Sequence, residues 1–322
     1  MVKNSISDIL MAPWIVGVTA AAIILRVFSL ISDQELPVEE IAVGCQVLPP
    51  GLTKLLDACV SLGYLELENG KYRNSHFSLV YFVEGQRLYM GDFIRLIHDE
   101  SPSWHQLPEA IRGGIKADTE PPYIRSDYRT FIRAMNNIGN LGEAEALRDF
   151  VDLSGCKKMI DAGGGSGLYS VVLCQKYPEL HSTIMDVKDT LKVTQEMIAD
   201  RQEKSRITLR EGDLLKESWG ADMDAALLSD LIYEEETARI VLRNAWNCLA
   251  PNGVLIIRGY YADPEKSRPL FGALFAVKDL VDDPLRKIIT ISVLEKIVSD
   301  LGFKIIRAAP LTEFSFALVG RK

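Results

Sequence analysis

The chain has 322 residues, 48% hydrophobic and 25% charged, with a net charge of −8. That balance is globular and excludes disordered, collagen-like and coiled-coil classes. The acidic charge argues against nucleic acid as a partner, which calls for a basic surface. Five scattered cysteines without a C-x-x-C pair read as reduced thiols of a cytoplasmic protein, and four histidines give no basis for a metal site.

In chain order, a charge-free run extends from Ile9 to Leu25 and is closed by Arg26. It sits at the lower edge of the roughly 17–25 residues that span a bilayer, and Pro13, Gly17 and Thr19 interrupt it. A buried helix at a subunit interface is the expectation, with no stable membrane insertion. Helical spacing places Leu52, Leu55, Leu56 and Cys59 on one face of a helix from about Gly51 to Leu62. Tyr64 to Glu68 then alternates, Asn69-Gly70 turns, and Lys71-Tyr72-Arg73 returns, which is a hairpin signal. Helices followed by a small hairpin suggest a winged-helix arrangement. Its recognition-helix stretch offers only Lys54, so packing or dimerisation is expected of it rather than DNA binding.

Residues 101–145 read as a connector rich in Pro, Gly and Ser, with a helix from about Ser126 to Asn137. From about Leu153 strands alternate with helices. Expected strands are Lys158–Ala162, Ser182–Val187, Arg206–Glu211, Asp224–Leu228 and Val254–Arg258, with helices such as Gly167–Lys176 and Glu235–Cys248 between them. That alternation implies a parallel, doubly wound α/β sheet. Phe303–Arg307 and Phe314–Val319 are joined by too short a link for another crossover, so they are expected to form an antiparallel terminal pair.

The strongest motif is Asp161-Ala162-Gly163-Gly164-Gly165-Ser166-Gly167, which follows a strand and opens a helix. Glycines there let a ligand approach the backbone, and the helix N-terminus favours polar or negative groups. The dinucleotide pattern G-x-G-x-x-G fails, because its last position falls on Leu168 or Ser170, and no P-loop lysine follows. Asp186 ends the second strand, and Gly212-Asp213-Leu214 follows the third.

These features match the first motif and the two strand-end acids of class I S-adenosylmethionine-dependent methyltransferases. The whole chain resembles the small-molecule O-methyltransferase family typified by plant caffeate and bacterial antibiotic enzymes. Ala250-Pro251-Asn252-Gly253 is similar to that family's turn before the fifth strand, Phe131 to Met135 to its substrate-lining helix, and Trp104 to Leu107 to its connector. The resemblance implies a helical winged-helix dimerisation domain (1–100), the connector (101–145) and a Rossmann-like methyltransferase domain (146–322). It also implies a homodimer, S-adenosyl-L-methionine as cofactor and a small-molecule acceptor. Gly163, Gly165 and Gly167 would form the cofactor loop, with Asp161 supporting it near the methionine end. Asp186 would hold the ribose beside Val187. Gly212, Asp213 and Leu214 would receive the adenine, with Leu228 at the fourth strand's end. Trp104, Phe131, Met135 and Tyr233 would line the acceptor pocket.

The family's catalytic His-Asp-Trp falls, in this register, on Leu231-Ile232-Tyr233, and its lysine on Leu227. Leucine is no base. Tyr233 is the best-placed substitute, with Asp230, His98 and His105 as weaker candidates. Three alternatives stand beside methyl transfer to oxygen: transfer to carbon, as in the related bacteriochlorophyllide C-20 methyltransferase; cofactor binding without transfer; and a winged-helix ligand-sensing regulator.

Overall fold

Apolar residues at helical spacing in the first hundred positions build one core, and near-continuous apolar strands after Leu153 build a core on each face of a sheet. The computed structural model describes residues 5–113, 128–261, 270–282 and 289–322, and the chain divides into Met1–Ser101 and Pro102–Lys322.

In the first unit the charge-free run forms α1 (Ile6–Ile24), whose cap Ser5 accepts a hydrogen bond from the Ser7 N–H. The helix is long and apolar enough to cross a membrane by length and composition. Thr19, Ala20, Ala22 and Ile23 near its end are buried in this unit's core. Ile6, Ile9, Leu10 and Trp14 are exposed, Trp14 by 74%. Within one protomer, burial of this helix is confined to its second half. Next come α2 (Val27–Ile31), β1 (Leu36–Pro37), α3 (Val38–Cys45) and α4 (Pro49–Ser61). The last begins at Pro49 rather than Gly51, because two prolines fit a first turn whose N–H groups have no helical acceptor. β2 (Leu65–Glu68) and β3 (Lys71–Asn74) form the hairpin, with Asn69 at φ +52° and Gly70 at +75° as the turn requires. β1 pairs antiparallel with β3, completing the wing. α5 (His76–Tyr81) and α6 (Gly91–Glu100) close the unit.

The second unit opens with a 3-10 turn (Ser101–Gln106), α7 (Leu107–Ile111) and α8 (Tyr128–Ile138). The expected start of α8 at Ser126 lies outside the described residues. A single π turn (Gly139–Glu143), with Gly142 at φ +103°, leads into α9 (Ala144–Phe150).

Strands β4 (Lys158–Ala162), β5 (His181–Asp186), β6 (Ile207–Glu211), β7 (Met223–Ser229), β8 (Leu249–Gly259), β9 (Lys304–Pro310) and β10 (Phe316–Arg321) make one sheet. Its order is β6-β5-β4-β7-β8-β10-β9. β6 through β8 in that order are parallel, and β10 runs antiparallel to both neighbours. Side chains alternate between two cores. Met159, Leu227 and Ile256 face the core shared with α9, α10 (Leu168–Lys176) and α11 (Lys188–Met197). Ile160, Leu228 and Ile257 face the core shared with α12 (Glu235–Cys248) and α14 (Ile291–Asp300); between the two lies α13 (Leu270–Asp282). The expected turn at Ala250–Gly253 is absorbed into β8 as a bulge. Leu249 pairs with Met223 and Val254 with Ala225, and the residues between them loop out through Asn252 at φ +66°.

Candidate active site

The site follows from the topology. β4 lies between β5 and β7, where the chain reverses its direction of winding across the sheet. Ligands of doubly wound sheets bind at the strand ends beside such a reversal. The glycine turn is there, with Gly163, Gly165 and Gly167 at φ +68°, +52° and +78°. The three serve different purposes. A β-carbon on Gly163 would sit 3.1 Å from Leu231 Cδ1 and 3.3 Å from Leu214 Cδ1, so both leucines close on the turn. One on Gly167 would meet Ile184, Ile198 and Thr194 at 3.1–3.2 Å, in the packing of the turn onto the α11 side. One on Gly165 would find only the Gly163 carbonyl oxygen, at 4.0 Å, so open space lies over that backbone.

Gly164 is tighter than any of these. A β-carbon there would fall 2.8 Å from Asp161 Cγ and 2.9 Å from Ile184 Cγ2. Gly164→Ala should destabilise the fold by about 1–3 kcal/mol through overpacking, read as a lower denaturation midpoint. An unchanged midpoint would show that the turn relaxes freely.

Asp161 is buried in β4. Its Oδ2 accepts from Ser170 Oγ at 2.6 Å, Ser170 Oγ lies 2.7 Å from Ser182 Oγ, and Asp161 Oδ1 has no hydrogen-bond partner. Burial pushes its carboxyl up to about 7, against the Ser170 hydrogen bond, with the nearby Asp186 charge adding to the rise. Asp186 ends β5 and is partly buried. Its Oδ2 accepts from Gly165 N–H at 3.1 Å and its Oδ1 from Val187 N–H at 2.8 Å. Burial raises its carboxyl above the ordinary range while these two N–H groups oppose the rise. Asp186 thus touches the glycine of the turn that faces open space, and a hydrogen bond from the Thr190 side chain adds to its two backbone donors.

The third expected contact region is arranged differently. Gly212 packs against Met185, whose Cε would lie 2.4 Å from a β-carbon there. The Asp213 side chain is 41% exposed and already engaged. Its Oδ1 accepts from Leu215 N–H at 2.9 Å, its Oδ2 pairs with Lys216 Nζ at 2.9 Å, and the Lys216 bond holds its carboxyl below the usual range. Leu214 reaches the glycine turn, whereas Leu228 is wholly buried in the sheet core and Val187 is exposed at the start of α11.

Across the turn, beyond β7, Asp230 holds a left-handed φ of +54° and accepts from the Tyr233 hydroxyl at 2.7 Å. The Tyr233 ring packs on Phe275 of α13, with centroids 5.3 Å apart, and on Tyr261 at 6.4 Å. Tyr260, Phe271 and Phe314 extend these rings. The other Asp230 oxygen pairs with Arg258, which also pairs with Glu143 at 2.5 Å. Sequence reasoning missed Arg258, Glu143 and this aromatic cluster. The available signal was a lone arginine ending the apolar run Val254–Ile257, since a charge at such a position demands a partner.

The remaining candidates are dispersed. Phe131 and Met135 lie on α8, which Arg129 ties to Glu196 of α11 by an ion pair. Trp104 and His105 are exposed in the 3-10 turn. His98 belongs to the first unit, with its Nδ1 3.3 Å from Asp99 Oδ1.

Comparison with known families follows the same lines. The model of the O-methyltransferase domain matches residues 123–304, more than half of the chain. The chain belongs to the O-methyltransferase family. The methyltransferase also matches the O-methyltransferase dimerisation domain over residues 10–84. It is 29% identical to a 3-hydroxy-5-methyl-1-naphthoate 3-O-methyltransferase of Streptomyces sahachiroi, over 70% of this chain and 68% of that protein. It is 25% identical to the bacteriochlorophyllide d C-20 methyltransferase of Chlorobaculum tepidum, over 76% and 75%. The crystal structure of human N-acetylserotonin methyltransferase in complex with S-adenosylmethionine shares the fold, with a TM-score of 0.86 at 21% identity, over 100% of this chain and 99% of that one.

The methyltransferase uses S-adenosylmethionine. Its residues fit that group: the open face over Gly165, the strand-end carboxylate of Asp186, the leucine wall of Leu214 and the unpartnered Asp161 oxygen all border one glycine turn.

Proposed function

We propose that this methyltransferase methylates a hydroxyl oxygen on a small aromatic or polyketide-like acceptor, as a cytoplasmic homodimer, with Tyr233 and Asp230 receiving the acceptor's proton. The observation that carries this reading is the 2.7 Å hydrogen bond from the Tyr233 hydroxyl to Asp230, set among aromatic rings beside the glycine turn. The bound cofactor supplies an electrophilic methyl group on a sulfonium. Asp186 holds the ribose hydroxyls and Leu214 packs on the adenine, while Asp213 reaches the adenine amino group by giving up part of its Lys216 contact. Leu231 stands against Gly163, where the family's histidine falls in the sequence register, and offers no base.

Tyr233 donates its proton to Asp230, so its oxygen meets an acceptor hydroxyl as a hydrogen-bond acceptor. That hydroxyl's proton passes to Tyr233 as Tyr233's own passes to Asp230. Phe271 and Phe275, with Phe131, Met135 and Trp104, supply flat apolar surface for an aromatic ring, and the buried Tyr260 and Tyr261 back Phe271, Phe275 and Tyr233 from within. Orientation of that ring accounts for much of the rate in an in-line displacement. The naphthoate specificity in the name of the Streptomyces relative supports an aromatic hydroxyl, and with the family match it favours oxygen over carbon.

The exposed apolar first half of α1, of which Leu10 and Trp14 fall in the stretch matched to a dimerisation domain, supports a second copy as its cover. DNA binding has no support. Lys54 is the only basic residue of α4, and Arg73 of the wing is paired with Glu66 and Glu68.

Calorimetric titration with S-adenosylmethionine and S-adenosylhomocysteine, with NAD as control, followed by a labelled-methyl screen over hydroxylated aromatics, tests the reading. Micromolar binding of the first two alone and label on oxygen are expected; label on carbon would overturn the oxygen assignment. Tyr233→Phe should lower kcat about tenfold or more with cofactor affinity unchanged. Full activity of that variant would remove Tyr233 from proton transfer.

A further inference from the structure

Arg258, the next-to-last residue of β8, has a side chain only 1% exposed, as is that of Glu143. Its Nε and Nη2 both donate to Glu143 Oε2, at 3.2 and 2.5 Å. Its Nη1 donates to Asp230 Oδ2, and its carbonyl accepts from the Asp230 N–H at 2.9 Å. One guanidinium is thus divided between a fully buried carboxylate and one that is 28% exposed. Thr312 Oγ1 and Ser315 Oγ, beyond β9, donate to Glu143. The Tyr260 and Tyr169 ring centroids lie 4.2 and 5.9 Å from the guanidinium carbon.

Charge balance alone does not require this arrangement, because Glu143 already neutralises Arg258. What the second contact adds is control of Asp230. A non-glycine residue at φ +54° is held against its preference and persists only when its surroundings over-determine it. Here both its N–H and its carboxylate are tied to Arg258, and the free carboxylate oxygen is left aimed at the Tyr233 hydroxyl.

We propose that Arg258 and Glu143 are positioning residues for the acceptor side of the site: Arg258 sets the Asp230 carboxylate and through it the Tyr233 hydroxyl, and Glu143 limits how much of the guanidinium charge Asp230 receives. The proposal rests on Tyr233 and Asp230 as the proton-receiving pair. Among the described residues, the charged and titratable groups facing Asp230 include Arg258 and Tyr233; those facing Arg258 include Glu143, Tyr169 and Tyr260; Tyr261 faces Tyr233.

The test uses the full chain labelled with 3-fluorotyrosine and saturated with S-adenosylhomocysteine. The Tyr233 fluorine resonance is assigned by its loss in Tyr233→Phe and followed against pH. Its titration midpoint should rise in Arg258→Gln, which removes the cation, and fall in Glu143→Gln, which removes the competing anion, each by about half to one pH unit. In a background of Asp230→Asn both shifts should shrink to less than half. Midpoints that stay put, move in the same direction, or shift as much without Asp230 would overturn the proposal. Should Arg258→Gln fail to fold, Glu143→Gln decides alone, and a midpoint that does not fall refutes the positioning role. The proton-receiving reading fails separately, through full methyl-transfer activity of Tyr233→Phe, whatever the fluorine midpoints do.

Discussion

Asp186→Ala is expected to weaken S-adenosylmethionine binding about 10–100-fold, as a rise in the calorimetric Kd. Charged hydrogen bonds contribute about 1.5–3 kcal/mol, which converts to that range. Two losses combine in this variant. The carboxylate that would hold the ribose hydroxyls disappears, and so do the acceptors that fix the Gly165 and Val187 N–H groups at 3.1 and 2.8 Å. Gly165 is the glycine over which the turn is open, so its backbone is freed at the point of cofactor approach. Asp186→Asn keeps an acceptor and one oxygen and should lose less. An unchanged Kd in Asp186→Ala would remove Asp186 from the cofactor site.

Asp161→Asn is expected to stabilise the cofactor-free protein at alkaline pH by about 4 kcal/mol relative to wild type. The wild-type carboxyl titrates near 7 in the folded chain against an ordinary value of 3.8, because burial disfavours its charged form. Below 3.8 both folded and unfolded chains are protonated there and the folded state carries no penalty. Between 3.8 and about 7 the unfolded chain releases the proton that the folded chain keeps, so stability falls as pH rises. Above about 7 the full loss, about 4 kcal/mol, is in place. Asparagine cannot titrate and still offers an acceptor to Ser170, so this dependence vanishes in the variant. Urea denaturation of both proteins at pH 5 and pH 8 checks it: the gap between them should be wide at pH 8 and narrow at pH 5. Parallel behaviour at both would show that Asp161 is not buried as an acid.

Much of the fold was legible because its signals are local. β4 runs from Lys158 to Ala162 and α12 from Glu235 to Cys248 as the apolar spacing indicated, and Asn69-Gly70 turns the hairpin with both φ angles positive. Boundaries were misread where a residue has two uses. Pro49 and Pro50 look like a break but open a helix, and Asn252-Gly253 looks like a turn but bulges within a strand. The glycine turn was legible because backbone geometry demands glycine, and the sheet order puts that turn and the strand-end acids together.

What the sequence by itself determined is therefore the sheet, the wing, the glycine turn and the carboxylates at the strand ends, since each depends on neighbours close along the chain. Only the tertiary structure decided which groups gather around Asp230 and Tyr233. Glu143 and Arg258 are far apart in sequence, and their separation has no period that could be read. Burial makes them partners, because a guanidinium closed off from water must find carboxylates wherever the folded chain brings them. The same packing decided that Asp230, one of several weaker candidates by sequence, is held in a left-handed conformation with Tyr233 as its hydrogen-bond donor, and that Leu228 belongs to the core.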